Sequence, residues 1–197
     1  MKKKNGRPLV SLCIAPLFFA AVISDAAAAD IASLTATCEG CHGKDGASQV
    51  PQIPIIGGLS ATYISDAMAA FREKTRPCTG NSMCLFSKNL SEEDTKRIAE
   101  HYASKPFVRA KQSFDAALAE RGKGIYSRYC NKCHEAGGSS PDDDAGILAG
   151  QWKPYLEQEF REFTSGTRLM AEKMKPKVDA LSEDDIKALI EYFVSFQ

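Results

Sequence analysis

The chain has 197 residues, with 25 basic and 25 acidic side chains, so its formal net charge is zero. That length fits one ordinary domain or two small ones. The balanced charge argues against nucleic acid or a membrane surface as a partner, because both attract proteins through clusters of basic residues.

The first 29 residues predict a cleavable secretory signal peptide. A basic start at residues 2–7 precedes an apolar run at 9–23, and four alanines at 26–29 offer a cleavage site before Asp30. An uncleaved membrane anchor is the alternative, but 15 apolar residues are short for a transmembrane helix. Cleavage leaves 21 basic and 24 acidic residues, a net charge of −3. We expect the mature protein in the periplasm.

The rest of the chain is an internal duplication. Its two copies are offset by 92 residues, and the offset falls to 91 late in the repeat. C-E-G-C-H at 38–42 corresponds to C-N-K-C-H at 130–134, and further matches follow in the same order. These are Gly58/Gly150, Tyr63/Tyr155, Phe71/Phe163, Arg76/Arg168, Met83/Met174 and Leu90/Leu181. The sequence therefore predicts domains at residues 30–105 and 113–197, joined by a linker at 106–112.

Each copy predicts three main helices, and no alternating pattern long enough for a strand is visible, so the predicted fold class is all-α. The first helix precedes the cysteine motif, the middle helices start near Ser60 and Pro154, and the last follow the capping residues Ser91 and Ser182. A copy of about 80 residues rarely sustains a core without a disulfide, a metal or a cofactor. A large apolar cofactor in each copy would supply that support.

The repeated Cys-x-x-Cys-His sequence predicts two covalently bound c-type haems. Two cysteines at this spacing can form thioethers to one porphyrin, and the adjacent histidine can ligate its iron. Two other interpretations of Cys-x-x-Cys fit less well. A thioredoxin-like dithiol would need a neighbouring strand and helix, which the sequence does not predict, and a four-cysteine zinc site would need its two cysteine pairs closer together in the chain. The predicted thioether residues are Cys38, Cys41, Cys130 and Cys133, and the predicted iron ligands are His42 and His134.

The duplication also predicts the second ligand of each iron. Met83 and Met174 each lie seven residues before a Leu-Ser pair that begins the last helix, in what the sequence indicates is a loop. Met170 is the rival in the second copy, but its counterpart is Cys78. Met68 falls on the apolar face of a helix and is expected in the core. A thioether ligand favours reduced iron.

Iron held between histidine and methionine has no open position for a substrate. The ligation therefore predicts electron transfer without large motion, and not an enzyme. A dihaem enzyme, such as a peroxidase or a thiosulfate dehydrogenase, would need one iron that lacks methionine.

Two cysteines remain after haem attachment. Cys78 and Cys84 bracket the predicted ligand Met83, and in an oxidising compartment we expect them to form a disulfide that stiffens this loop. Two free thiols are one alternative. Ligation of the iron by Cys84 in place of Met83 is another.

Four polar residues at matched positions are candidates for hydrogen bonds to the haem propionates. Arg76 and Arg168 follow the middle helices, and Tyr63 and Tyr155 lie near their starts. The alternatives are surface arginines and packing tyrosines. Trp152 has no counterpart in the first copy and is expected to line the second haem pocket or to fill the core.

The mature chain resembles the dihaem, cytochrome c4-like proteins, and within them it looks most like the cytochrome subunit of flavocytochrome c sulfide dehydrogenase. The resemblance covers both haem motifs, both methionines and the duplication, whereas the Cys78/Cys84 pair departs from the family pattern. In the second copy it is carried by A-K-Q-S-F-D (110–115), Y-C-N-K-C-H (129–134), I-L-A-G-Q-W (147–152), P-Y-L (154–156) and E-K-M (172–174).

The resemblance implies two tandem class I cytochrome c-like domains and a heterodimer with a flavoprotein subunit that binds FAD and oxidises sulfide. This chain would accept single electrons from the flavin and pass them to a soluble acceptor such as another c-type cytochrome. It has no Gly-x-Gly-x-x-Gly dinucleotide motif of its own. The alternative is a free-standing cytochrome c4-type shuttle to a terminal oxidase.

Overall fold

A computed structural model describes residues 30–78 and 82–197, apart from the side chain of Asp143; the predicted signal peptide lies outside these residues. The described residues are helical and contain no strand. In the first half the helices are α1 (Ile31–His42), α2 (Ala61–Arg72), α3 (Met83–Asn89) and α4 (Glu92–Ala103). In the second half they are α5 (Ala116–Tyr129), α6 (Glu135–Gly138), α7 (Lys153–Thr164), α8 (Lys175–Val178) and α9 (Glu183–Val194), and short 3₁₀ turns span Lys44–Gly46 and Asp142–Asp144.

Serine caps start the helices where the sequence predicts them. Ser60 accepts a hydrogen bond from the backbone of Tyr63 at the start of α2. Ser91 does the same for α4, and Ser182 forms a full capping box with Asp185 at the start of α9. Such caps satisfy backbone N–H groups that have no partner within the helix, so these helix starts are fixed locally.

The two halves repeat the same backbone hydrogen bonds. Gly58 donates its N–H to the carbonyl of Tyr102 at 2.9 Å, and Gly150 donates to that of Phe193 at 2.8 Å. In each half these bonds tie the loop after the haem motif to the C-terminal helix. The tandem arrangement predicted from the duplication is therefore the observed architecture.

Each half has its own apolar core between its helices. In the second half, α5 and α9 pack so closely that a Cβ at Gly122 would lie 2.1 Å from the carbonyl oxygen of Ala188, so only glycine fits there without moving a helix. The first core contains Leu59, Ile64, Ile98, Ala99, Tyr102 and Ile147, the last contributed by the second half. The second core contains Tyr126, Leu156, Leu189, Ile190, Phe193 and Val194.

Two elements differ from the sequence expectation. The first haem motif lies inside the last turn of α1, whereas the second follows α5 in a turn. Met83 and Met174 do not lie in plain loops: Met83 is the first residue of α3, and Met174 caps α8. Both helices are too short for a periodic pattern to reveal them, so the sequence showed only a loop there.

The two halves contact each other through buried polar groups. The side-chain amide of Gln151 donates to and accepts from the backbone of Ile55, at 3.0 Å in each case. Trp152 donates its indole N–H to the carbonyl of Ser48 at 3.0 Å. Trp152 is therefore a residue of the domain interface, which the sequence did not indicate.

None of the helices in residues 30–78 and 82–197 combines the length and the apolar character that crossing a bilayer requires. The segment between α4 and α5 contains no helix. Ala110, in that segment, donates its N–H to the carbonyl of Gly150 at 2.8 Å, so the connection lies against the second half.

Candidate haem sites

The histidine of each haem motif has the same environment. His42 is 8% exposed, and its Nδ1 lies 2.9 Å from the carbonyl oxygen of Pro54. His134 is partly buried, and its Nδ1 lies 3.3 Å from the carbonyl of Gly146, the residue that corresponds to Pro54. A carbonyl only accepts, so Nδ1 carries the proton and Nε2 keeps its lone pair. This is the arrangement by which proteins orient a histidine that ligates a metal.

Burial favours the neutral, ligating form of both rings. Loss of solvent lowers the pKa of His42, and the hydrogen bond to Pro54 opposes this only in part. Burial likewise lowers the pKa of His134. Both imidazoles are therefore prepared to bind iron at neutral pH without first losing a proton.

The four motif cysteines are free of disulfides. Cys38 and Cys130 are partly buried, whereas Cys41 and Cys133 are exposed. Burial raises the pKa of Cys38, and it raises that of Cys130 to about 11. Each half thus presents one sheltered and one open thiol three residues apart and next to the histidine, which fits two thioether bonds to one porphyrin.

The structure joins Cys78 and Cys84 in a disulfide, with their Cα atoms 5.8 Å apart. The bond encloses the segment just before α3, and Cys84 follows Met83 directly. Met83 is partly buried, as is Met174 in the second half. Met170, the alternative ligand, is also partly buried, so exposure alone does not separate it from Met174.

Four matched polar residues come together at the domain interface, around one carboxylate. Arg76 binds Glu159 at 2.5 Å and donates to the hydroxyl of Tyr155 at 3.1 Å. Arg168 also pairs with Glu159. Tyr63 lines a cavity of about 170 Å³ together with Arg76 and Arg168. The candidate propionate residues thus form a single cationic cluster shared by both halves, in which Arg76 is buried and the other three are partly buried.

Nothing in the repeat pattern marked Glu159 as a candidate. Its counterpart in the first copy is Ala67, so the duplication gave no hint of a shared carboxylate. The available signal was its place on the apolar face of α7, four residues after Tyr155 and four before Phe163. A buried acidic residue in that position requires a cationic partner.

The charges in this cluster affect its two tyrosines in opposite ways. Burial alone would raise the pKa of Tyr63, but the positive charges of Arg76 and Arg168 more than reverse it, and the pKa is lowered. For Tyr155 burial outweighs the effect of Arg76, and the pKa is raised. The positive charge of the two arginines is therefore felt more strongly at Tyr63 than at Tyr155.

Comparisons with known proteins agree with this geometry. The family described as "Cytochrome C oxidase, cbb3-type, subunit III" matches residues 117–193. Cytochrome c4 of Azotobacter vinelandii is 29% identical over 98% of each chain. Cytochrome c-554(548) of Halomonas halodenitrificans is 40% identical over 83% of its own length and 34% of this chain. The chain belongs to the c-type cytochromes, and its similarity to dihaem cytochrome c4 extends over both domains.

Solved structures of this family share the fold. Reduced cytochrome c4 from Pseudomonas stutzeri is 26% identical, covers 86% of this chain and all of its own, and superposes with a TM-score of 0.71. Like that family, the chain has tandem cytochrome c domains and binds two haem c groups covalently. The two Cys-x-x-Cys-His segments and their oriented histidines fit these groups.

Two further relatives are named for dehydrogenases. The "thiosulfate dehydrogenase electron acceptor" of Thiomonas intermedia is 27% identical over 82% of this chain and 77% of its own length. The "cytochrome subunit of sulfide dehydrogenase" of Chlorobaculum tepidum is 37% identical, but over only 36% of this chain and 62% of its own length. The c4-like family is thus supported across both domains, and the sulfide dehydrogenase likeness covers part of the chain.

Proposed function

We propose that this protein is a periplasmic carrier of single electrons that uses its two haems in sequence. The observation that carries the proposal is the pair of matched histidines, each donating Nδ1–H to a loop carbonyl and each following a Cys-x-x-Cys segment. When bound, each haem supplies an iron that gains and loses one electron. The periplasmic location rests on the signal peptide predicted at residues 1–29.

The proposal assigns each residue a role. Cys38 and Cys41 attach the first haem and Cys130 and Cys133 the second; His42 with Met83, and His134 with Met174, ligate the two irons. Met83 begins a helix next to a disulfide, so little motion accompanies a change of oxidation state. Arg76, Arg168, Tyr63 and Tyr155 bind the propionates at the domain interface. The domains span residues 30–105 and 113–197, with the linker at 106–112.

For the electron donor we propose a separate dehydrogenase that oxidises a reduced sulfur compound. The two dehydrogenase-linked relatives support this class of donor. A flavoprotein with FAD that oxidises sulfide is one such donor, supported by the partial likeness to the Chlorobaculum tepidum subunit. The soluble acceptor would be another c-type cytochrome.

A free-standing cytochrome c4-type shuttle is the second candidate. The likeness to Azotobacter vinelandii cytochrome c4 over nearly the whole of both chains favours it. In this function the donor and acceptor would bind transiently, and no partner would remain attached during purification.

Purification of the tagged protein from its native host separates these candidates. We expect two haems per chain by the pyridine haemochrome assay in either case. A co-purifying subunit with bound flavin, and haem reduction on addition of sulfide, would support the flavoprotein donor. Haem reduction by thiosulfate with a flavin-free partner would support the other dehydrogenase class, whereas a single chain that neither compound reduces would support the shuttle. A colourless protein, or one with a single haem, would contradict the proposal as a whole.

A further inference from the structure

A mixed set of metal-ligating side chains lies beside the first haem motif. Glu39 stands between the two cysteines in α1, Asp45 lies in the 3₁₀ turn after it, and His101 lies in the last turn of α4. One ligand atom from each residue lies within 4.8 Å of the other two. Folding of the first domain brings them together from three separate elements.

Other contacts fix the positions of the two carboxylates. Oε1 of Glu39 accepts the backbone N–H of Asp45 at 3.3 Å, and Oδ1 of Asp45 pairs with Nζ of Lys105 at 3.0 Å. In the described part of the chain, no hydrogen bond engages the second oxygen of either carboxylate. Each group is thus oriented through one oxygen and keeps the other for a ligand, as supporting hydrogen bonds do in metal sites.

His101 provides a second observation that points to a ligand at this place. Its Nε2 atom is buried, and no partner for it exists within residues 30–78 and 82–197. Buried polar atoms in folded proteins nearly always have a partner, so one without requires an explanation. One nitrogen of this ring also lies within 4.8 Å of an oxygen of each carboxylate, and a bound cation would explain both observations.

The second domain gives an internal comparison. The corresponding residues are Asn131, Gly137 and Tyr192, so neither carboxylate nor imidazole is repeated there. The residues at these positions are nevertheless neighbours in the second domain too, because a Cβ at Gly137 would lie 3.2 Å from the hydroxyl oxygen of Tyr192. Both domains therefore bring these two positions together, but only the first domain places carboxylates and an imidazole there.

We propose that Glu39, Asp45 and His101 bind a first-row divalent cation of the Zn²⁺ class, with water completing its coordination. One imidazole and two carboxylates form a donor set that Zn²⁺ accepts at sites with an open position. Among the described residues, Lys105 is the only cation that forms an ion pair with either carboxylate, and it engages one oxygen of Asp45. This site is separate from the irons proposed at His42 and His134.

A cation here would act on one haem only. Glu39 lies between Cys38 and Cys41, so added positive charge would favour the reduced state of the first haem and leave the second nearly unchanged. This consequence rests on the haem attachment proposed above, whereas binding of Zn²⁺ itself does not.

Calorimetric titration of Zn²⁺ into the metal-stripped, haem-loaded protein tests the site. We expect one ion per chain, with binding at least tenfold weaker in His101→Ala and weakened in the isosteric variant Glu39→Gln. Glu100→Gln is the matched control, because it removes the same charge one residue from His101 at an exposed position, and it should bind as the parent does. No uptake by the parent protein, or undiminished uptake by His101→Ala, would overturn the proposal.

Mn²⁺ added to the reduced protein locates the site by a second readout. Reduced six-coordinate haems are diamagnetic, so we expect the paramagnetic ion to broaden NMR signals of the first haem and of Tyr102, next to His101, before those of the second haem. Equal broadening in both domains would overturn the assignment. If the purified chain contained fewer than two haems yet bound Zn²⁺ in the same titration, the proposed function would be wrong and this site would stand.

Discussion

The side-chain amide of Gln151 forms two hydrogen bonds with the backbone of Ile55 in the other domain, one to its N–H and one to its carbonyl, each 3.0 Å long. Gln151 is 2% exposed and Ile55 is 1% exposed, so water cannot replace either bond. The corresponding residue of the first domain is Leu59, so this contact has no duplicate.

We therefore expect Gln151→Leu to destabilise the domain interface. It leaves a buried N–H and a buried carbonyl without partners, which should lower the free energy of unfolding by about 3 kcal/mol. Urea denaturation followed by circular dichroism measures the change. The control is Gln49→Leu at an exposed position, which we expect to alter stability by less than about 0.5 kcal/mol. Equal stability of the two variants would contradict this account of the interface.

The methionine assignment predicts a difference between two residues four positions apart. Met174→Leu should remove one haem's share of the weak red absorption band that oxidised His/Met haem shows, because the second iron loses its sulfur ligand. Met170→Leu should leave the band intact and is the matched control. Loss of the band in Met170→Leu instead would move the ligand to Met170.

Local signals in the sequence account for most of the secondary structure and of the haem motifs. Capping residues such as Ser91 and Ser182 and the spacing of Cys38, Cys41 and His42 act over a few residues, so they are visible without the fold. The contacts of Gln151, Trp152 and Glu159 depend on how two domains pack, and no periodicity records that. The role proposed for His101 could not be predicted for the same reason, because Glu39 and Asp45 are distant from it in the sequence.

The disulfide between Cys78 and Cys84 should stabilise the native state by limiting the unfolded chain. For a loop of this length the chain-entropy estimate is about 2 kcal/mol, so replacing both cysteines by serine should lower the free energy of unfolding by about that amount. Cys78→Ser alone should cost nearly the same, because it breaks the same bond. A double variant as stable as the parent would show that the bond is not formed in solution.

The restraint that the Cys78–Cys84 disulfide places on Met83 should also be visible in the absorption spectrum of the first haem. If the disulfide holds Met83 against the first iron, the double serine variant should lose the red band of the first haem at a lower pH on alkaline titration, while the band of the second haem stays unchanged. Measuring both bands in one sample makes the second domain the control. A parallel change in both haems would contradict a role specific to Met83.

The arginine cluster predicts how the two haem potentials respond to charge. If Arg76 and Arg168 bind the propionates of the first and second haems, each guanidinium favours reduced iron, which carries one positive charge fewer than oxidised iron. Arg76→Gln should then lower mainly the first potential and Arg168→Gln mainly the second, by roughly 40 mV or about 1 kcal/mol. Spectroelectrochemical titration resolves the two steps.

Arg161→Gln is the control for these variants, because Arg161 lies exposed on α7, two residues after Glu159, and forms no contact with the cluster among the described residues. It should leave both potentials unchanged, since solvent screens an exposed charge. Glu159, which pairs with both arginines, gives a second test of the same idea. Glu159→Gln removes a negative charge from the cluster and should raise both haem potentials. Shifts of the same sign in Arg76→Gln and Glu159→Gln would show that packing, and not charge, links this cluster to the haems.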